Sequence, residues 1–288
     1  MEENKMKKYE LTTETKINIF GKKLFRIKAL VSFGSVIAGE KGGWIEEEEN
    51  LSQSGNAWVS GNAEVYGNAK VYGNAWVSGN AEVYGNAKVY GNAWVYGNAK
   101  VSGNAWVYGN AWVSGNARVY GNAEVSGDTR VCGNAWVYGN AKVYGNAEVY
   151  GNAKVSGNAW VSGNAKVYGN AEVSGNARVY GNAWVSGNTE VSGDAEVSGD
   201  ARVYGNAEVS GDAWVSGDAD YTTIHGFGTQ FRTTTFFRCK DKEIRVSCGC
   251  FFGTISEFRE QVKRTRKGKV AEEYLMIADL MEKHFKEE

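Results

Sequence analysis

Two histidines and four cysteines carry nearly all the nucleophilic and metal-binding chemistry open to this chain: His225, His284, Cys132, Cys239, Cys248 and Cys250. Attack by an amine or hydroxyl on a coenzyme A thioester at neutral pH needs a positioned general base. His225, close to the repeats described below, is the residue that could supply one. Its other reading is a capping residue satisfied by backbone. Cys239, Cys248 and Cys250, with His225, have the composition of a four-ligand zinc site. Cys248 and Cys250, two apart on one expected strand, would face one side together with Val246. That pattern reads equally as core, where a thiol behaves as a small hydrophobe. Two histidines are too few for a three-histidine zinc centre. No His-Asp pair, nucleophile elbow or phosphate loop occurs, so no catalytic set is assigned, and zinc or a coenzyme A thioester enters only under these alternatives.

The other chemically prominent residues are aromatic, and they fall at a fixed step. Gly recurs every six residues from Gly55 to Gly211, giving 27 consecutive hexads of the form Gly-Asn/Asp-Ala/Thr-x-Val-z. Within Ala57-Trp58-Val59-Ser60 the side chains of a strand alternate faces, so Ala57 and Val59 point inward and Trp58 and Ser60 outward. Gly61-Asn62 then turns the corner, since both residue types tolerate positive φ. A four-residue strand and a two-residue corner make one side of a triangle, and three sides make an 18-residue coil. Residues 58–75 recur letter for letter at 76–93, which supports that period. The pattern predicts an all-β solenoid: a left-handed parallel β-helix of nine coils, roughly 43 Å long at about 4.8 Å per layer. Each buried Val contributes on the order of 1.5–3 kcal/mol.

Folding the outward x positions by 18 gives three columns. One begins Trp58, Trp76, Trp94, Trp112, with outward tyrosines such as Tyr96 beside it. A run of four tryptophans is expected to form a binding surface or self-association face; the plainer reading is an aromatic that stacks well on its own copies. Like charges also stack, as in Glu172, Glu190 and Glu208 or Lys70 and Lys88. Solvated side chains splaying apart would account for these, with a cation or basic partner as the alternative.

Three regions follow: a capping segment over 1–54, the repeat solenoid over 55–220, and an α+β region over 221–288. The first carries strand-like runs at Lys16–Phe20 and Leu24–Leu30 joined by Gly21-Lys22-Lys23. The last carries strands at Thr233–Cys239 and Glu243–Cys248, then two helices. Thr254 to Glu257 reads as a capping box, and Tyr274, Ile277, Met281 and Phe285 stand at helical spacing. Net charge is −1, with no broad field for nucleic acid or an anionic membrane. The basic stretch Lys263, Arg264, Arg266, Lys267 and Lys269 is read as a solvated helix end. Met1-Glu2-Glu3-Asn4-Lys5 shows no apolar h-region, and the scattered cysteines suit a reducing compartment, so a cytoplasmic location is expected. Triangular solenoids commonly pack side to side, which makes a homo-oligomer, a trimer first, the expected assembly, with a foreign protein partner as the alternative.

Residues 21–53, GKKLFRIKALVSFGSVIAGEKGGWIEEEENLSQ, resemble the leader of the YdcK-type hexapeptide-repeat proteins. Leu24–Leu30, Ala38–Glu46 and Asn50–Ser52 match that leader's strand, its Gly-Gly-Trp-Ile segment and its passage into the coils, in order. The resemblance implies the left-handed β-helix and the transferase label such proteins carry by analogy of fold, which says little about mechanism. Residues 233–258, TTTFFRCKDKEIRVSCGCFFGTISEF, are similar to a small domain of phage and prophage proteins. Arg264-Thr265-Arg266 departs from the Thr-His-Gly step of that domain. Together the resemblances imply a phage-borne binding or scaffold protein, with an acyltransferase of the hexapeptide-repeat superfamily as the alternative.

Overall fold

The computed structural model describes residues 6–286; the reading of Met1–Lys5 lies outside them. The chain is a parallel β-solenoid whose contacts divide it into two compact units, Met1–Asn152 and Ala153–Glu288.

In the first unit the 18-residue period is realised strand on strand. Trp58 pairs with Trp76, Trp76 with Trp94 and Trp94 with Trp112, all parallel and in register. Every inward Ala and Val of these hexads is fully or almost fully buried. The regular strands are shorter than the expected four residues: only x and Val, as in Trp58–Val59 and Glu64–Val65. The ladder nonetheless continues past them. Trp58, Ser60 and Asn62 donate their N–H groups to the carbonyls of Ala75, Val77 and Gly79 at 2.8–3.0 Å. The corner itself therefore carries an inter-coil bond. Glycine alone takes the positive φ there: Gly55 to Gly211 lie between 60° and 79°, and among the described residues only Phe231 and Lys242 do so without being glycine. The corner asparagines were expected to share that strain, and they do not.

The leader is a hairpin followed by a strand that joins the solenoid. Tyr9–Ile17 pairs antiparallel with Lys23–Ala29, which pairs antiparallel with Lys41–Ile45. That last strand runs parallel to Glu64–Val65, placing Trp44 beside Glu64 and Ile45 beside Val65. The expected strand over Lys16–Phe20 is instead mostly the turn. The Asn18 carboxamide accepts from the N–H groups of Phe20 and Lys22 and bends the chain before Gly21, a local competition that short polar side chains often win. Lys8 closes this end of the coils. Its ammonium donates to the Ala57 carbonyl at 2.8 Å and lies over the Phe33 ring.

In the second unit the same stacking holds, with Glu172, Glu190 and Glu208 in register. Two residues replace the inward Ala of a hexad, Thr129 in the first unit and Thr189 in the second. Both are buried, and each hydroxyl donates to a nearby carbonyl, Ser126 O and Ser186 O. Beyond the hexads a four-stranded antiparallel sheet forms from Tyr221–Phe227, Arg232–Arg238, Ile244–Cys248 and Phe251–Thr254. Its first and last strands were not anticipated. Helix α1 (Ile255–Thr265) starts on the expected capping box. Glu257 N–H donates to Thr254 Oγ1, and Thr254 N–H to Glu257 Oε2. Helix α2 (Gly268–His284) buries Tyr274, Ile277 and Met281 against Phe236, Val246 and Phe258. The open strand edge of the last hexads is satisfied by side chains. Arg202 N–H donates to Asp218 Oδ1, Glu208 N–H to Thr235 Oγ1, and Tyr221 Oη to the Arg202 carbonyl.

Two outcomes test this account. A β-carbon at Gly91 would stand 2.9 Å from the backbone N of Gly109, whereas one at Gly21 meets nothing within 4 Å, though both glycines have φ above 70°. Gly21→Ala should lose on the order of 1–2 kcal/mol from the left-handed conformation. Gly91→Ala should lose clearly more by thermal or denaturant unfolding. Burial lowers Lys8 from 10.5 to about 8, so folding disfavours its charged form, and that penalty fades as pH rises from about 8 to 10.5. Tyr9, raised by burial and then by Glu48 and Glu49, contributes stability that is lost above about pH 10. Between pH 8 and 10 the unaltered protein should therefore gain melting temperature relative to Lys8→Met.

Candidate interaction surface

The tryptophan column expected on the outside is only partly outside. Trp58 occupies the outward x position, yet it is fully buried, because the leader folds over it. Tyr9 and Phe33 meet its ring edge-on at 6.3 and 5.4 Å. Its indole N–H has no acceptor among the described residues, so apolar burial outweighs one unmade hydrogen bond there. Trp76 is half-buried and donates Nε1 to Ser60 Oγ at 3.1 Å. Trp94 and Trp112 remain in solvent at 46% and 40% exposure, stacked with ring centroids 5.6 Å apart and planes 10° from parallel. Tyr96 meets Trp112 edge-on at 6.4 Å, and the Arg130 guanidinium lies 5.5 Å from the centroid of the same Trp112 ring. Of this column Trp94 and Trp112 are exposed, with the half-buried Tyr96 beside them.

Around it the surface is ordered by repetition. Tyr72, Tyr90 and Tyr108 stack at 4.8 and 4.9 Å with planes 3° apart. Lys88 lies over Trp106 and Arg118 over Trp136, contacts worth about 0.5–1 kcal/mol each at exposed sites. Stacked like charges are relieved by neighbours as well as by solvent: Lys16 bridges Glu64 at 2.8 Å and Lys100 bridges Glu82 at 2.8 Å. Such surface pairs, here partly shielded from solvent, contribute modestly. At the corners the asparagine side chains form ladders that the sequence reading missed. Asn62, Asn80, Asn98, Asn116 and Asn134 each donate Nδ2 to Oδ1 of the residue 18 further on, at 3.0–3.3 Å. The signal was there in the Asn at a fixed step of six. In the second unit, ladders end on acceptors at Asp194 and Asp200, where an ionised carboxylate can take the last bond but pass none on.

The C-terminal cysteines and histidine do not converge. Among the described residues no group of three His, Cys, Asp or Glu could hold a metal ion. Cys239 is buried where it bridges to Ala213 at the end of the hexads, and burial pushes its thiol up to about 11. Cys248 ends its strand, and Gly249, at φ 62°, turns the chain so that Cys250 lies in the hairpin turn. The expected shared strand face is therefore absent. His225 is exposed, with Nδ1 3.2 Å from Thr233 Oγ1; its partner is a side chain, where backbone was expected. Cys132, at an outward z position, is half-buried, and burial raises its thiol. Lys263, Arg264 and Arg266 are exposed at the end of α1. Among the described residues no helix is long and apolar enough to cross a membrane.

A family model describing the YdcK beta solenoid repeat matches residues 63–79, 81–97, 99–115, 111–127, 117–133, 171–187 and 201–217. These coils are similar to the YdcK repeat. Matches beginning at 63, 81, 99, 117 and 171 stand whole multiples of 18 apart, so the YdcK unit coincides with the coil seen in the strand pairing. None of the curated proteins compared with the chain matches it.

The ladder makes a checkable demand. Asn98→Asp keeps the acceptor for Asn80 but removes the donor to Asn116. The variant should lose about 0.5–1.5 kcal/mol at neutral pH. A protonated carboxyl can donate, so the loss should shrink as pH falls through the carboxylate range near 4. Urea unfolding at pH 7 and near pH 3.5 would measure both.

Proposed function

We propose that this YdcK-like solenoid is a non-enzymatic binding or scaffold protein that associates with further copies of itself through the Trp94, Tyr96 and Trp112 face. The observation that carries the reading is the exposed, preordered Trp94–Trp112 stack. Two large rings already fixed by their neighbours lose little side-chain entropy on docking, and buried aromatic anchors dominate most interfaces. Side-to-side packing of triangular, left-handed solenoids makes a trimer the stoichiometry proposed. The leader and the C-terminal sheet act as caps, each satisfying a strand edge that would otherwise invite uncontrolled pairing. The similarity of residues 233–258 to a phage domain supports a phage-borne scaffold working in the cytoplasm of the producing or infected cell.

Light scattering of the protein at micromolar concentration should give a multimer mass. Trp94→Ser combined with Trp112→Ser should reduce it while leaving the far-ultraviolet β spectrum unchanged, because neither ring contributes to the core. A monomer in the unaltered protein would overturn self-association.

A further inference from the structure

The C-terminal sheet and helices enclose a cleft of ≈ 410 Å³ that the solenoid reading leaves unused. Arg232 and Arg266 line it together with Cys248, Phe251, Phe252 and Tyr274, and no carboxylate lines it. Neither arginine forms an ion pair with a carboxylate among the described residues, while Arg238, Arg245 and Arg259 of the same region all do. Both guanidinium groups are solvent-exposed at the mouth of this cleft, which therefore presents two positive charges and no carboxylate to an incoming anion.

The backbone is shaped to present them. Phe231, in the exposed turn immediately before Arg232, has φ 49°, uncommon for a bulky residue, and such outliers concentrate at functional sites. Gly249 makes room for the Arg232 side chain, since a β-carbon there would collide with Nη1. Gly228 does the same for the Tyr274 hydroxyl, which donates to the Phe227 carbonyl. Burial and then the neighbouring Cys248 raise the Tyr274 phenol, and the charges of Arg266 and Arg232 offset part of that rise. Cys248 Sγ accepts from Thr234 Oγ1 at 3.1 Å. Phe252 is exposed and Phe251 partly so, giving an apolar wall beside the charged one.

We propose that this cleft binds a small organic anion, a phosphate ester or carboxylate, with its charged head between Arg232 and Arg266 and its apolar body against Phe251 and Phe252. Arginine's planar fork suits either head, and its bonds to an ionised acceptor are among the stronger hydrogen bonds in proteins.

The test uses the full chain with phenyl phosphate, benzoate and neutral phenol as probes in calorimetry. Saturable binding of phenyl phosphate or benzoate, but not phenol, is expected, weakened at least about tenfold by Arg232→Gln and by Arg266→Gln. Equal binding of phenol, no binding of either anion, or affinities unchanged in both variants would overturn the proposal. Should a variant fail to fold, the unaltered protein still decides. Cys248, followed by peptide mass, should be alkylated faster by anionic iodoacetate than by neutral iodoacetamide, and inorganic phosphate should suppress that preference. A preference for iodoacetamide that phosphate does not alter sinks the anion site.

Discussion

At the hexad corners the backbone of one coil lies so close to the next that no side chain fits between them. A β-carbon at Gly79 would sit 3.0 Å from the N and O of Gly97, and at Gly103 2.9 Å from those of Gly121. This approach lets the Asn N–H at the corner reach the glycine carbonyl of the following coil, and so keeps the hydrogen-bond ladder unbroken where the chain turns. The remaining order depends on it. The inward Ala and Val columns meet at a constant spacing because the corners do, and an interior so regular has room only for small and branched side chains.

The same spacing governs the outside. Rings that recur every 18 residues are brought to the separation at which aromatic planes stack, and carboxamides to the separation at which one donates to the next. The surface is therefore built from unbranched columns of like side chains, with variety arising where a column changes residue type. Arg130 succeeding Trp112 places a guanidinium on an indole, and Lys100 succeeding Glu82 makes an ion pair. Aspartate at 194 and 200 ends a carboxamide ladder instead of extending it.

Where repetition stops, the chemistry becomes individual. The leader hides Trp58 beneath Tyr9 and Phe33 and sets the buried Lys8 ammonium on the Ala57 carbonyl. The C-terminal sheet and the helical turn before it meet the last strand edge with the side chains of Thr235, Tyr221 and Asp218. Among the described residues, the non-glycine ones with positive φ, Phe231 and Lys242, both fall in this region. So do Arg232 and Arg266, neither of which forms an ion pair with a carboxylate among the described residues.

The sequence by itself determined the solenoid, its 18-residue register and its inward residues, because each hexad repeats one local solution and neighbouring coils are related by a fixed step in the chain. It also determined α1 and α2, whose capping box and helical spacing are local signals. It did not determine which tryptophans stay in solvent, because Trp58 is covered by Tyr9, 49 residues earlier, and no periodic rule reaches that far. Nor could it separate Cys248 from Cys250, since the turn at Gly249 depends on pairing Ile244–Cys248 with Phe251–Thr254. The convergence of Arg232 and Arg266 on one cleft was equally illegible. Their side chains approach from a hairpin and a helix end 34 positions apart, and only the packing of α1 and α2 on the sheet brings them together.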